Sequence, residues 1–379
     1  EHVAGIEAAD DNRDFALHAT PYNAAILARV QTVVARASSQ HDQDENEAIV
    51  LHAQAMVDHL EYEMGVIPDP YTYSILLNAW CQQSCPGRRG ERAADYADEL
   101  LRRRLEDDDI HEIDHPEAGS SRRATQSVPW PNTQHFGSVL KAHAKTKSPG
   151  GAKKALALLS DMERRYHEAK SHRSSPDRTD AAKPDIICYS IVVDAFANSR
   201  LPEASSVAHR LLGAVETKYD AGDASMRPNT RLYTAVILSM VHSSFVGDED
   251  EERDQGGNIN NAQRAWSILE RMKKNDVLPN SYTYNYIINC AAQTDGVEDQ
   301  HVSFEIALRA FQELRTKDGT DPETEGCRPN CFTFAFMLKA CNNLLPPGAL
   351  RTKVLRETFR ECCRTGYVND AVLGRLWRG

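Results

Sequence analysis

The segment at residues 279–291, P-N-S-Y-T-Y-N-Y-I-I-N-C-A, contains the feature that most constrains the fold of this chain. It opens with Pro279, whose fixed φ and missing N–H stop one helix just before another begins. Large and small apolar residues then follow at the i, i+3, i+4 and i+7 spacing of an amphipathic helix, at Tyr284, Ile287, Ile288 and Ala291. The segment therefore predicts a helix with one buried face.

The same pattern returns along most of the chain. Further copies begin at Pro68, Pro131, Pro184, Pro228 and Pro329, and a copy without the leading proline begins at His18. Each copy has an aromatic residue at the same place, which we call the anchor aromatic: Tyr22, Tyr73, Phe136, Tyr189, Tyr233, Tyr284 and Phe334. Six residues later each copy has a small residue: Ala28, Ala79, Ala142, Ala195, Ser239, Cys290 and Ala340. A large side chain beside a small one lets neighbouring helices pack closely, so the pattern predicts a repeat protein.

A second helical pattern follows each copy, and no segment shows the period-two alternation of a strand. The predicted second helices cover residues 47–63, 92–106, 152–168, 202–219, 261–275, 303–317 and about 348–365. We predict an all-α fold with a disordered segment at residues 1–18 and an array at residues 19–379. About seven repeats start near residues 19, 70, 133, 186, 230, 281 and 331, and a last helix at residues 370–377 caps the array.

The insertions between these helices carry much of the acidic charge. The formal net charge of −11 argues by itself against nucleic-acid binding. Segments rich in Asp, Glu, Ser and Gly are expected as loops at residues 107–127, 169–182, 220–226, 247–258 and 318–326. The predicted first helices are nearly neutral or locally basic, with Lys141, Lys145 and Lys339. A nucleic-acid partner on the first helices therefore remains compatible with the charge.

Other totals bound the class of protein. No apolar run is long enough to cross a membrane, and nine cysteines, several inside the apolar stripes, indicate a reducing compartment. We expect a monomer. The chain begins at Glu1, which we interpret as a fragment or processed product without a visible targeting peptide.

Signals for catalysis or metal binding are weak, and we predict no enzyme, cofactor or metal site. The cluster from Asp107 to His115 has metal-ligand residue types but lies in a predicted loop, where a solvated insertion is the favoured interpretation. Cys81 with Cys85 and Cys327 with Cys331 have C-x-x-x-C spacing, but no second pair follows at zinc spacing.

The copies resemble the pentatricopeptide repeat. The resemblance rests on a proline with Asp or Asn, then often Thr before the anchor aromatic, as at Thr72, Thr283 and Thr333, and an aliphatic pair after it. It covers roughly residues 20–379. The long insertions, and Gly137 and Ala335 directly after their anchors, depart from the family pattern.

The resemblance implies a right-handed superhelix that binds one RNA strand along its first helices, one base per repeat. Base choice is implied for the residue after each anchor, the reading position, paired with the Asp or Asn that opens the next repeat, the closing residue. These pairs are Asn23 with Asp69, Ser74 with Asn132, Gly137 with Asp185, Ser190 with Asn229, Thr234 with Asn280, and Asn285 with Asn330. The stacking position, two residues before the anchor, holds Tyr71, Ile187, Arg231, Tyr282 and Phe332, with Gln134 as a poor stacker. The three lysines named above are the expected phosphate contacts.

By the same resemblance, the site should read U-A-N-A-A-Y followed by an unread base. The expected function is selective binding of single-stranded RNA in a mitochondrion or plastid, in RNA processing, stability or translation. Two alternatives stay open: an acidic scaffold that binds proteins through its insertions, for example in an organellar ribosome, and the RNA-binding part of a longer enzyme like protein-only ribonuclease P. Simpler roles also remain for the site residues, because Asn and Asp cap helices and polar residues or lysines are often only solvated.

Overall fold

Helix pairs follow one another through the computed structural model, which describes residues 24–26, 28, 43–63, 70–113, 131–171, 182–242, 260–294, 299–316 and 327–376. The first helices of the pairs are α2 (Pro70–Gln83), α4 (Thr133–Lys145), α6 (Ile186–Ser199), α8 (Thr230–His242), α10 (Ser281–Ala291) and α12 (Cys331–Leu344). The second helices are α1 (Gln43–Asp58), α3 (Arg88–Ile113), α5 (Pro149–Ser171), α7 (Ala204–Asp220), α9 (Asn261–Lys274), α11 (Gln300–Thr316) and α13 (Ala349–Thr365). A last helix, α14, covers Asp370–Leu376. The described residues contain no strand.

The first helices stack in one continuous row. From α4 to α12, each first helix contacts the first helix before it, the one after it, and the second helices on both sides, and α14 continues the row against α12. This arrangement confirms the predicted all-α repeat solenoid, and a helix is present where the last one was expected; its role as a cap of the array stays a prediction. The right-handed sense of the superhelix stays a prediction.

The anchor aromatics form the core of the stack, as the sequence predicted. Five of them, Phe136, Tyr189, Tyr233, Tyr284 and Phe334, are at most 1% exposed. The small residue six positions after each of these anchors is buried too. Because these small residues are buried in the stack, a larger side chain there would disturb the packing of neighbouring repeats.

The tyrosine anchors also make a contact that the apolar pattern does not reveal. Their hydroxyl groups donate to glutamates on the second-helix side of the stack, from Tyr73 to Glu61 (3.1 Å), from Tyr233 to Glu216 (2.6 Å) and from Tyr284 to Glu313 (3.2 Å). Tyr189 donates to Glu163, which Lys218 also contacts. Burial, followed by the adjacent glutamates, raises the pKa of the tyrosine hydroxyls in α6, α8 and α10, so these groups stay protonated donors.

Parts of three predicted loops are helical. Helix α5 extends to Ser171, so residues 169–171 belong to it, and Ala224–Met226 form a short 3-10 helix inside the loop expected at residues 220–226. Helix α3 continues through Ile113, so residues 107–113 are helical although we expected an insertion from Asp107 onward. Residues 107–113 contain no proline or glycine, and they directly follow the helix-favouring Arg, Leu and Glu residues at 102–106. Other predicted sites, namely Asn23, Asp69 and residues 247–258, lie outside the described residues.

The described residues do not meet the requirements of a membrane span, a disulfide or a metal site of three or more ligands. Among the residues that the structure describes, no helix combines the length and apolarity needed to span a bilayer. All nine cysteines are free thiols. The same part of the chain contains no group of three or more side chains that could together bind a metal. The two C-x-x-x-C pairs therefore do not belong to such a group.

Candidate nucleic-acid interface

Large side chains at the stacking position lie on the surface of the first-helix row. The exposed fraction is 56% for Tyr71, 58% for Ile187, 60% for Tyr282 and 55% for Phe332, and Gln134 is also exposed. These residues have the same position on helices that stack on one another, so they mark one side of the row. Only two residues further along, the anchors are buried. The repeats thus alternate a buried ring with an exposed large side chain.

Two of these exposed rings are extended by a second aromatic residue one helical turn later. The ring centroids of Tyr282 and Tyr286 lie 6.4 Å apart, and those of Phe332 and Phe336 are separated by the same distance. The second ring of each pair is half-buried and packs against the core. Helices α10 and α12 therefore present the widest aromatic surfaces of the row.

Arg231 differs from the other stacking residues because it is held by an ion pair. Its Nε atom lies 2.7 Å from Oδ2 of Asp194 on the preceding first helix, α6. Burial raises the pKa of Asp194, and the hydrogen bond and charge of Arg231 oppose this rise. A carboxylate on this side of the row would repel a nearby phosphate, and the ion pair restrains the guanidinium of Arg231.

Each described closing residue at positions 132–330 is the N-cap of the next first helix. The side-chain oxygen accepts the backbone N–H three residues later, at 3.1 Å for Asn132, 2.9 Å for Asp185, 2.9 Å for Asn229, 3.0 Å for Asn280 and 3.1 Å for Asn330. All five side chains are half-buried. Capping uses one side-chain oxygen. The other side-chain group, NH₂ in Asn or a second oxygen in Asp, is left over and differs between the repeats.

Most reading positions lie just behind the closing residues and are more deeply buried. Ser190 is 2% exposed, Thr234 9% and Asn285 3%, whereas Ser74 and Gly137 are half-buried. The first three polar side chains are thus not simply solvated. Buried polar groups need hydrogen-bond partners.

Several reading residues find that partner in the next repeat, at the residue just before its anchor, which we call the relay position. Oγ1 of Thr234 lies 2.8 Å from Oγ1 of Thr283. Thr333 donates to Oδ1 of Asn285 at 2.6 Å, and Nδ2 of Asn285 lies 3.3 Å from Oδ1 of Asn330. Each relay threonine hydroxyl also accepts the backbone N–H of the closing residue of its own helix, from Asn280 at 3.3 Å and from Asn330 at 3.0 Å, so reading, relay and closing residues form a connected set.

A histidine has the same role beside Ser74. Oγ of Ser74 lies 2.9 Å from Nε2 of His135, and Nδ1 of His135 accepts the backbone N–H of Asn132 at 3.0 Å. The accepting Nδ1 places the proton of the neutral ring on Nε2, so His135 donates to Ser74. This role was not predicted, although a polar side chain three residues after an Asn cap is the signature of a capping box.

Two of the other described repeats have an apolar relay position. Cys188 is the relay residue for Gly137, and Leu232 is the relay residue for Ser190. The three reading positions without a polar relay (Gly137, Ser190 and Ala335) lack a side-chain bond to the next repeat in the described structure. Ser190 donates instead to the carbonyl of Ile186 in its own helix, at 2.7 Å. A Cβ on Gly137 would meet nothing within 4 Å.

Asn369 is a further closing residue that the repeat pattern did not predict. Its Oδ1 atom accepts the backbone N–H of Val372 at 3.1 Å, as the other closing residues do in their helices. It stands beyond Ala335 in the last repeat. The signal was hidden because Val368 replaces the usual proline.

The three lysines that were expected to contact phosphates differ in whether their ammonium groups already bind other parts of the protein. Lys141 is exposed. Lys145 donates to the carbonyl of Cys81 at 2.8 Å, and Lys339 to Oδ1 of Asn289 at 3.2 Å, so both bind the preceding first helix. Burial and the charge of Arg375 lower the pKa of Lys339. Lys141 is therefore the best placed of the three for a phosphate.

Comparison with known proteins supports the repeat assignment. A family model described as the PPR repeat family matches residues 257–293, a range that contains α9 and α10. No curated protein matches the chain with significant similarity. The matched family is one of RNA-binding proteins.

Proposed function

We propose that this pentatricopeptide-repeat protein binds single-stranded RNA along the side of the first-helix row that carries the stacking positions. The observation that carries the proposal is the regular recurrence of exposed large side chains at one helical position: Tyr71, Ile187, Tyr282 and Phe332. We assign the chain a binding role rather than a catalytic one.

Stacking on bases is the chemistry that such a surface serves best. Single exposed apolar residues are common on proteins, but here a large apolar side chain recurs at the same helical position in four of the six described repeats. Planar and aliphatic faces bind any base, at about 1–3 kcal/mol per stacked base. Selectivity then requires polar groups beside each stacked base. The closing residue lies two positions before the exposed side chain, and the reading residue lies three positions after it in the same helix.

We infer that these polar pairs select the bases in the order predicted above, U-A-N-A-A-Y. The pair of Gly137 with Asp185 provides only one side chain, which supports weak discrimination at the third base. Double-stranded RNA is excluded by the proposal, because its bases are stacked on each other and cannot reach the rings. A role in processing, stability or translation of an organellar transcript belongs to the same proposal.

The test is a binding titration with short labelled RNAs. The protein should bind single-stranded RNA that contains U-A-C-A-A-U more tightly than a scrambled single strand and far more tightly than a duplex. The double variant Tyr282→Ala/Phe332→Ala should weaken binding at least about thirtyfold, in line with two lost stacking contacts. Leu350→Ala is the matched control, because Leu350 is 63% exposed but lies on a second helix. Equal effects of the two changes, or no RNA binding, would refute the proposal.

A further inference from the structure

The relay positions form hydrogen bonds that the base-reading scheme does not include. We propose that the relay residues His135, Thr283 and Thr333 set the base preference of the preceding repeat, by fixing which of its reading and closing groups donate and which accept. The inference rests on the proposed function, since it concerns how the same surface selects RNA bases. These residues contact no base themselves and are positioning residues.

The hydrogen bonds of Thr283 can be assigned by counting protons. A threonine hydroxyl has one proton. We assign this proton to Oδ1 of Asn280, which is an acceptor only and lies 3.1 Å from Oγ1 of Thr283. Its oxygen must then accept in the 2.8 Å contact with Thr234. The proton of Thr234 is therefore directed at Thr283 and away from a ligand.

This assignment fixes the groups that remain for a base. Thr234 keeps the lone pairs of its oxygen, so it acts as an acceptor. Oδ1 of Asn280 is occupied by the backbone N–H and the hydroxyl of Thr283, which leaves the NH₂ of Asn280 as the donor. An acceptor beside a donor matches the amino group and ring nitrogen of adenine or cytosine. Uracil and guanine present these two functions in the reverse order, so they fit only if the hydroxyl of Thr234 can turn.

The chain contains its own comparison. The pair of Ser74 with Asn132 has the same residue types as the pair of Ser190 with Asn229, but only the first has a polar relay, His135 in place of Leu232. Reading residues alone would give both repeats the same discrimination. If a polar relay is required for discrimination, the protein should discriminate between bases more strongly at the second position of the RNA site than at the fourth.

The decisive experiment removes one relay hydroxyl at a time and measures base preference at defined positions. Thr283→Val keeps the shape of the side chain and abolishes its hydrogen bonds, whereas Thr283→Ser keeps the hydroxyl. Thr333→Val is the matched control, because both threonines are 0% exposed and cap their helices in the same way. Dissociation constants are measured for RNAs that differ only at the fifth base or only at the sixth.

We expect Thr283→Val to reduce the preference for adenine over uracil at the fifth base from about fivefold or more to less than about twofold, as for loss of one oriented base contact. The sixth base should be unaffected, Thr283→Ser should keep the preference, and Thr333→Val should change only the sixth base. If either valine variant reduced the base preference equally at the fifth and the sixth base, the cause would be a general loosening of the array, and the inference would be overturned. An unchanged fifth-base preference in Thr283→Val, or a parent that binds RNA without preference there, would overturn it too. Absence of any RNA binding would instead refute the proposed function on which it rests.

Discussion

Asn280→Asp changes the chemistry presented to a base without changing the fold. The carboxylate keeps one oxygen in place to accept the N–H of Thr283, now at 3.0 Å, and Asp is as effective an N-cap as Asn. The added negative charge lies at a helix N-terminus, where it stabilises by about 0.3–1 kcal/mol. Asp185 shows that this array accepts Asp at the same place, 2.9 Å from the N–H of Cys188. We therefore expect an unchanged or slightly higher melting temperature.

The effect on RNA should appear in the ranking of bases. The variant replaces the NH₂ donor of Asn280 by a second acceptor, next to the acceptor oxygen of Thr234. Two acceptors suit guanine, whose edge supplies two N–H donors. By analogy with bidentate base contacts, guanine should gain about 1–3 kcal/mol relative to adenine at the fifth base, or about 5- to 150-fold.

Fluorescence anisotropy with four RNAs that differ only at the fifth base measures this ranking. The new charge also weakens binding to every RNA, so ratios between bases are the readout rather than absolute affinities. Asp185→Asn is the control, because its partner Gly137 has no side chain and its change should leave the fifth base untouched. If the parent and Asn280→Asp rank the four bases identically, the assignment of Asn280 is wrong.

Neighbouring contacts give three further predictions. Tyr282→Ala should cost about 1–3 kcal/mol of RNA affinity with no change in melting temperature, because the ring is 60% exposed; a large drop in melting temperature would show a packing role. Asp194→Asn should tighten RNA binding by about 0.5–1 kcal/mol, because it removes a repelling charge and releases Arg231, whereas Asp95→Asn on α3 should not. Burial acts to raise the pKa of Glu163, but hydrogen bonds from Lys218 and Tyr189 outweigh it and the pKa is lowered. The folded state is therefore stabilised at neutral pH and loses this contribution as the pH falls below the ordinary value of 4.5, so thermal melts of Glu163→Gln should show a weaker loss on acidification than the parent.

The sequence predicted the parts of the fold that depend on local patterns. The anchors were found because large and small apolar residues recur at helical spacing, and the capping by Asn280 and its equivalents is a local effect of a short polar side chain before a helix. The extent of α3 was missed because a charged run without proline or glycine suits a helix and a solvated loop equally well.

The relays could not be predicted because they join residues of different repeats. Thr234 and Thr283 lie 49 positions apart, and the insertions make the separation differ from one pair of repeats to the next. Only the stacking of α8 on α10 brings these side chains into register. The burial of the reading positions was missed for the same reason, because it is the following repeat that covers them.

The row of first helices also has a consequence for how the chain loses its structure. Among the described residues, the buried core is continuous along the array, but the extensive helix contacts join neighbouring repeats, so each part of the core depends on the repeats beside it. Helix α14 contributes Val372 as its one fully buried apolar side chain among the residues described there, so it is held less firmly than the helices before it. A ligand strand laid across several repeats would bridge units that otherwise come apart individually. Such a strand would turn a series of independent melting steps into one cooperative transition.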